Sequence, residues 1–491
     1  MAIVLPENVN IKHPDKLFIG GEWVSATSGG SIEVVSPHTE EVCAVVAEAG
    51  PADVNAAVAA AREAFDNGPW PTMSVSERAN ALRRMADILR GRTEELAAAF
   101  TAEIGALASF APMAAGGAIE TLAAYADIGE NYAWETSQPS VTVPGHTAHI
   151  IREPVGVVAA IAPWNMPCAI MTQKIAPALI SGCPVIMKPS PETPLEAYII
   201  AEAAEEAGLP SGVVNLVAAH REAADQLVRN PGVDKISFTG STAAGRHIAS
   251  VAGARMARVT LELGGKSPAI ILDDFPTEMA GKILARTITI LSGQVCAMLS
   301  RAIVPAHRHD EIAEAIVAEM KNVKVGSPLD PATEMGPVAM KRQLERIEQY
   351  VETGIKEGAT LAHGGKRVGG LKGCYFEPTL FTNVDNSMTI AQEEIFGPVL
   401  ALIPAKDIDH AVELANDTEY GLNSSVFTND AKAAYAIGRR LRAGNMAQNG
   451  MNADFTLPFG GFKCSGIGRE GGVEGITPYV ETKTILLLTG E

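Results

Sequence analysis

The sequence predicts an α/β protein whose main sheet is parallel and covered by helices on both faces. Three observations carry that expectation. Short apolar runs at 156–161, 184–187, 213–217, 235–238 and 269–272 have the length and uniform hydrophobicity of strands buried on both sides. Helical segments at 194–207 and 243–252 fall between runs, so strand and helix alternate as in βαβ units. A second alternating stretch, 302–403, predicts a separate α/β domain.

The other elements follow in chain order. Residues 17–24 place two β-prone runs about Gly20-Gly21, the pattern of a hairpin. From 52 to 107 the period becomes helical: Val54, Ala57, Val58, Ala61 and Phe65 share one face, and Leu82, Met85, Ala86 and Leu89 mark another helix. Residues 140–151 alternate with period 2 around Pro144-Gly145, which predicts a second hairpin. Residues 482–488 form a terminal β-prone run that needs an edge to pair with. An arm pairing with another subunit is the expectation, and a frayed tail the alternative.

Composition narrows the function classes. The chain has 491 residues, with 39 Lys+Arg against 57 Asp+Glu and a net charge of −18. That balance argues against nucleic-acid binding, which needs clustered cations, and repels anionic membranes. With 47% hydrophobic and 20% charged residues the chain is globular, and its length suggests roughly two to four domains. The longest apolar stretch, 155–163, falls short of the ~20 residues that span a bilayer. The opening residues 1–7 lack the cationic start and apolar core of a signal peptide. The six cysteines form no CxxC pair and the ten histidines no HExxH, so no metal site is expected. A soluble, reduced, cytoplasmic protein is the expectation.

Several residues carry possible chemistry. Cys296, in Ser292-Gly293-Gln294-Val295-Cys296, is either a buried small hydrophobe or a nucleophile. Glu262, in Leu261-Glu262-Leu263-Gly264-Gly265-Lys266, puts a carboxylate in an apolar strand, where burial would raise its pKa toward that of a general base. Alternatively it points outward at a strand end, screened by Lys266. Phe238-Thr239-Gly240-Ser241 follows a strand and opens a helix, a place where free amides attract phosphate. Asn165, in Pro163-Trp164-Asn165, is a candidate oxyanion donor or an ordinary turn residue. Lys188 lies at another strand's carboxyl end, where ligands of open α/β sheets gather.

Taken together and in this order, these segments resemble the NAD(P)-dependent aldehyde dehydrogenase family from about residue 17 to 483. The resemblance also rests on Lys-Pro-Ser at 188–190, Gly-Gln-Val-Cys at 293–296, Glu-Glu-Ile-Phe-Gly-Pro at 393–398 and the run from Pro458 to Glu470. It implies a Rossmann-like cofactor domain (1–131 and 152–261), a catalytic domain (262–465) and a β-arm for oligomerisation (132–151 and 466–491). It implies Cys296 as a nucleophile forming a thiohemiacetal and, after hydride loss to the nicotinamide, a thioester. Asn165 and the Cys296 N–H would hold the oxyanion, and Glu262 would activate water to release the acid. Ile161, Trp164, Lys188, Gly240, Ser241, Leu263, Glu394 and Phe396 would bind the cofactor. The implied partners are a small aldehyde and further copies of the chain, as a homodimer or homotetramer.

Departures from the family pattern bear on specificity. Pro191 stands where many NAD-linked relatives carry a Glu that grips the adenosine ribose, with Glu192 one step late. NAD is therefore expected, with NADP accepted as well; Arg221 is a possible aid to a 2′-phosphate or simply a solvated side chain. Ile290 and Leu291 replace a common Phe-Asn pair. The placeable tunnel residues Met166, Ile170, Gln173, Ile290, Val295 and Ala297 are mostly aliphatic, which favours a medium-sized apolar aldehyde. A CoA-acylating semialdehyde dehydrogenase is the alternative within enzymes, disfavoured because such relatives generally lack the Glu at 262. A non-catalytic binding protein on the same scaffold is the alternative outside them.

Overall fold

A computed structural model describes residues 4–489 apart from 453 and 455, so the start of the stretch read for a signal peptide lies outside the described residues. Two large sheets dominate. The first has eight strands, with Arg258–Glu262, Lys235–Thr239, Val158–Ile161, Val185–Lys188 and Val214–Leu216 running parallel in that spatial order. Gly466–Ile467 caps one edge antiparallel, and the hairpin Leu17–Ile19/Glu22–Val24 extends the other.

The chain winds outward from Val158–Ile161 through Val185–Lys188 to Val214–Leu216. It then returns to lay Lys235–Thr239 on the opposite side of its starting strand. The crevice at that reversal is where an open α/β sheet binds its ligand. Every residue of these strands is buried except at the start of Arg258–Glu262, which explains their mostly apolar composition.

The second sheet has seven strands, and its centre is Val399–Ala405, Leu299–Pro305, Ser267–Ile271 and Ser425–Phe427, all parallel. The run read at 269–272 therefore belongs to this sheet and not to the first alternating series. Alternation along the chain marks strands but not the point where the chain crosses to a new sheet. Glu262 ends the last long strand of the first sheet and Ser267 begins the second, so four residues link the two.

The helical stretch from 52 to 107 resolves into Pro51–Asp66, Val75–Arg90 and Thr93–Ile104. A fourth helix, Ala111–Asn131, was not anticipated. Ala and Gly dominate it, and Gly116-Gly117 interrupts its apolar contrast.

The second hairpin is displaced from its expected place. Its strands are Glu135–Pro139 and His146–Pro154, so 140–143 are loop rather than strand. The first strand, Glu-Thr-Ser-Gln-Pro, is exposed throughout and carries no apolar alternation to announce it. The terminal run is a nine-residue strand, Val480–Leu488, paired along its whole length with His146–Pro154 of the same chain. It is not frayed. Among the described residues no strand covers its outer edge, where Ile485, Leu486, Leu487 and Leu488 lie exposed.

Candidate active site

Cys296 sits on the loop that enters the central strand Leu299–Pro305 of the second sheet. The preceding turn is strained: Leu291 and Ser292 have φ of 46° and 54°, which costs an L-residue about 1–2 kcal/mol each. Hydrogen bonds hold it there. Leu291's carbonyl accepts from the Gln294 N–H at 3.0 Å and from its Nε2 at 2.8 Å, and Ser292 Oγ donates to the Gly336 carbonyl at 2.8 Å. Gly293 is required twice over: its φ is +75°, and a Cβ there would sit 2.1 Å from the Gly397 carbonyl.

Asn165 reaches this loop from the first sheet. It follows Val158–Ile161, is 3% exposed, and donates from Nδ2 to the Gln294 carbonyl at 2.9 Å. An amide NH2 has two hydrogens, so the second remains for another acceptor beside Cys296. Gln294 is a residue the sequence reading did not single out. Its Oε1 also accepts from the Ala339 N–H at 3.0 Å, so it ties the Cys296 loop to both neighbours.

Glu262, at the carboxyl end of Arg258–Glu262, is 3% exposed, so it does not point outward. Neither carboxylate oxygen has a hydrogen-bond partner among the described residues. Burial, reinforced by Glu470, pushes its pKa well above the usual carboxylate range, against the opposing pull of Lys174 and Arg469. The Gly461 N–H also pulls downward but falls short of hydrogen-bond geometry. Lys266 does not screen Glu262. Burial, then Arg301, lowers its pKa to about 7, and the acids that oppose this are Glu394 and Glu393.

Lys174 and Glu470 were not among the expected site residues. Lys174 Nζ donates to Glu470 Oε1 at 2.6 Å and to Thr239 Oγ1 at 2.7 Å, with both charged side chains buried. Two signals pointed to them: a lysine as the one charged residue of the mostly apolar helix Pro167–Ile180, and an acid closing the run from Pro458.

Two cavities meet at these residues. One, of about 360 Å³, is walled by Phe110, Met113, Met166, Ile170, Val295 and Met451 and contains Glu262 and Glu470. The other, of about 200 Å³, is lined by Trp164, Gly240, Ser241, Leu263, Glu394 and Phe396. Cys296, Asn165 and Thr239 line both. Burial, with Glu394 and Glu262 adding repulsion, pushes the Cys296 thiol up to about 12.

Six of the eight residues expected to bind a cofactor thus share one cleft. Ser241 caps helix Thr242–Ala254, accepting from the Ala244 N–H at 3.3 Å, so that helix opens its amide end toward the cleft. Trp164 and Phe396 meet edge to face at 5.2 Å. Glu394 Oε1 accepts from the Gly265 N–H at 3.1 Å, and burial raises its pKa to about 7. Ile161 and Lys188 end adjacent strands just beyond the cleft wall, where burial lowers the Lys188 pKa to about 8. A helix N-terminus, glycines that leave the wall bare and a ring pair at one end fit a dinucleotide. Among the described residues no cluster of three or more His, Cys, Asp or Glu is placed to hold a metal.

A family model for the aldehyde dehydrogenase family matches residues 23–485. Geranial dehydrogenase of Castellaniella defragrans is 42% identical over 473 residues, 96% of this chain and 98% of that protein. A mutant aldehyde dehydrogenase C from Pseudomonas syringae, solved in complex with NAD+ and octanal, is 42% identical with a TM-score of 0.93, covering 97% of each chain. The Mycobacterium tuberculosis aldehyde dehydrogenase solved with NAD+ is 41% identical with a TM-score of 0.95, covering 98% of this chain and all of that one. The chain belongs to the aldehyde dehydrogenase family. It is an NAD(P)-dependent enzyme that oxidises an aldehyde to the carboxylic acid through a cysteine thiohemiacetal and thioester.

Proposed function

We propose that Cys296 is the nucleophile, Asn165 the oxyanion donor and Glu262 the base that activates water. The supporting observation is the meeting of the two cavities at Cys296 and Asn165, with Glu262 in the apolar one. The Cys296 thiol loses its proton to solvent water, and the thiolate attacks the aldehyde carbon, placing the new oxyanion beside the second Asn165 N–H and the Cys296 backbone N–H. Bound NAD would supply the hydride acceptor that this oxidation of the thiohemiacetal to the thioester requires. Trp164, Gly240, Ser241, Leu263, Glu394 and Phe396 hold that cofactor in the cleft, with Ile161 and Lys188 at its adenosine end. Glu262, ionised, takes a proton from the water that hydrolyses the thioester, which carries the product away as a free acid rather than to CoA.

The substrate is a medium-sized apolar aldehyde. Among the described residues that wall the cavity there is no Lys, Arg or His to pair with a substrate carboxylate, and methionines, aliphatics and phenylalanines dominate. The named relatives point the same way: one is a geranial dehydrogenase and one was solved with octanal. The exposed apolar edge of Val480–Leu488 is the surface through which a homodimer or homotetramer forms. The six free cysteines accord with a reducing cytoplasm.

The test is aldehyde-dependent NADH formation across octanal, geranial, benzaldehyde, betaine aldehyde and succinic semialdehyde, with and without CoA. The apolar aldehydes should lead by at least about tenfold in kcat/KM, a preference that a few buried methylenes supply. CoA dependence, or preference for the charged aldehydes, would overturn the reading.

A further inference from the structure

The apolar cavity shares a wall with a second chamber of about 290 Å³. Phe110, Ile290 and Leu291 line both. Beyond them the second chamber is bounded by the turn at 105–109, by Thr289 and by Arg286 and Glu334. The last two pair with each other at 3.1 Å, so the chamber presents no unpaired charge to an alkyl chain.

The three wall residues differ in how freely they could change the partition. Ile290 packs against the core of the second sheet's helices, and Phe110 immediately precedes helix Ala111–Asn131. Leu291 projects from the strained turn, whose backbone is fixed by Gln294 and Ser292. Its side chain is partly buried against the small apolar cluster that includes Phe100, Ile104 and Ala111. Those hydrogen bonds hold the turn, so of the three wall residues Leu291 is the one whose side chain can be shortened while the backbone around it stays held.

We propose that Leu291 is a specificity-determining residue: it closes the substrate cavity against the second chamber and so limits the size of the aldehyde's distal end. The inference rests on the reading of the apolar cavity as the aldehyde site. Shortening the side chain should let a longer or bulkier tail enter the second chamber, leaving the reacting end at Cys296 undisturbed.

The experiment compares wild type, Leu291→Ala and Leu291→Phe in steady-state turnover of hexanal, octanal, decanal and dodecanal with NAD. Each methylene newly buried tightens binding about fourfold. In Leu291→Ala the ratio of kcat/KM for dodecanal to that for hexanal should rise at least about fourfold. The rise should appear mainly as a lower KM for dodecanal relative to hexanal. Leu291→Phe should move the same ratio the other way, and it carries the test if the alanine variant does not fold. A ratio unchanged in either folded variant, with all chain lengths scaled alike, overturns the proposal. Wild type turning over none of these aldehydes would instead overturn the apolar-aldehyde reading on which it rests.

Discussion

Lys174 and Glu470 form a buried ion pair, 2.6 Å apart, in electrostatic reach of the Glu262 carboxyl. The pair acts on Glu262 with opposite signs: Glu470 raises its pKa and Lys174 lowers it. Replacing Lys174 with Met removes the downward pull and leaves Glu470 buried without its cation. Two effects should follow. Stability should fall by about 3–5 kcal/mol, the cost of an unpaired buried charge, read from denaturant unfolding. Glu262 works as a base only when ionised, so the acidic limb of the kcat profile should move to higher pH. Glu470→Gln should move that limb to lower pH, and an unmoved limb in both variants would separate the pair from Glu262.

The Cys296 assignment makes two further claims. Cys296→Ala should abolish turnover while NAD binding, measured by fluorescence titration, stays intact; more than a few per cent of residual kcat would contradict it. Glu394 and Glu262 both help hold the Cys296 thiol near 12. Glu394→Gln removes the stronger of those two repulsions, so the thiol pKa should fall. Each unit of that fall raises the thiolate fraction tenfold at fixed pH. Iodoacetamide alkylation of Cys296 at pH 8 should therefore speed up in the variant without added aldehyde.

Glu262→Gln keeps the side-chain shape but cannot accept the proton from water. Hydrolysis of the thioester should slow by about 10²–10⁴-fold, more than its formation, so stopped-flow mixing should show a burst of NADH followed by a slow steady state. Wild-type steady-state rates in this variant would return Glu262 to a structural role.

Deleting residues from Ile485 onward should weaken assembly. The deletion removes the exposed apolar end of Val480–Leu488 and leaves one edge of His146–His149 unpaired. Sedimentation velocity should show smaller species than the full chain. An unchanged sedimentation coefficient would place the subunit interface elsewhere.

What the sequence made legible followed from burial. Strands such as Val158–Ile161 and Val185–Lys188 lie between two helical layers and so read as unbroken apolar runs, and Asn165, Lys188 and Ser241 could be placed at or just past strand ends. Glu135–Pro139 is solvated on both faces and left no pattern. Ala111–Asn131 supplies one wall of the apolar cavity, yet its small residues gave little contrast between its faces. Gln294 and the Lys174–Glu470 pair act through tertiary hydrogen bonds between segments 45 to 296 positions apart, which no local pattern reports.

The cofactor preference turns on Pro191. A Glu at that position would offer oxygens to the adenosine ribose and repel a 2′-phosphate; Pro does neither. The neighbouring Glu192 does not take its place. Its carboxylate accepts from Ser190 Oγ and, at 2.5 Å, from Arg342, so both of its oxygens are already engaged. Although burial opposes ionisation, those two partners lower its pKa, which keeps it charged and engaged. Arg221 opens helix Arg221–Arg229 and is exposed, the solvated alternative of its two readings. Lys188 remains at the strand end, buried, with its pKa lowered to about 8. Glu192 already acts on this cation, and Pro191 adds no second carboxylate beside it, so NADP should be accepted better than in a relative that carries a Glu at 191. A charge-assisted hydrogen bond is worth about 1.5–3 kcal/mol, so Pro191→Glu should raise discrimination against NADP by roughly tenfold to a hundredfold. Dissociation constants for NAD and NADP, titrated by protein fluorescence, and kcat/KM for each cofactor should shift together. A wild-type protein that already rejects NADP by about 10⁴-fold, the range of dedicated polar recognition, would assign the discrimination to another residue.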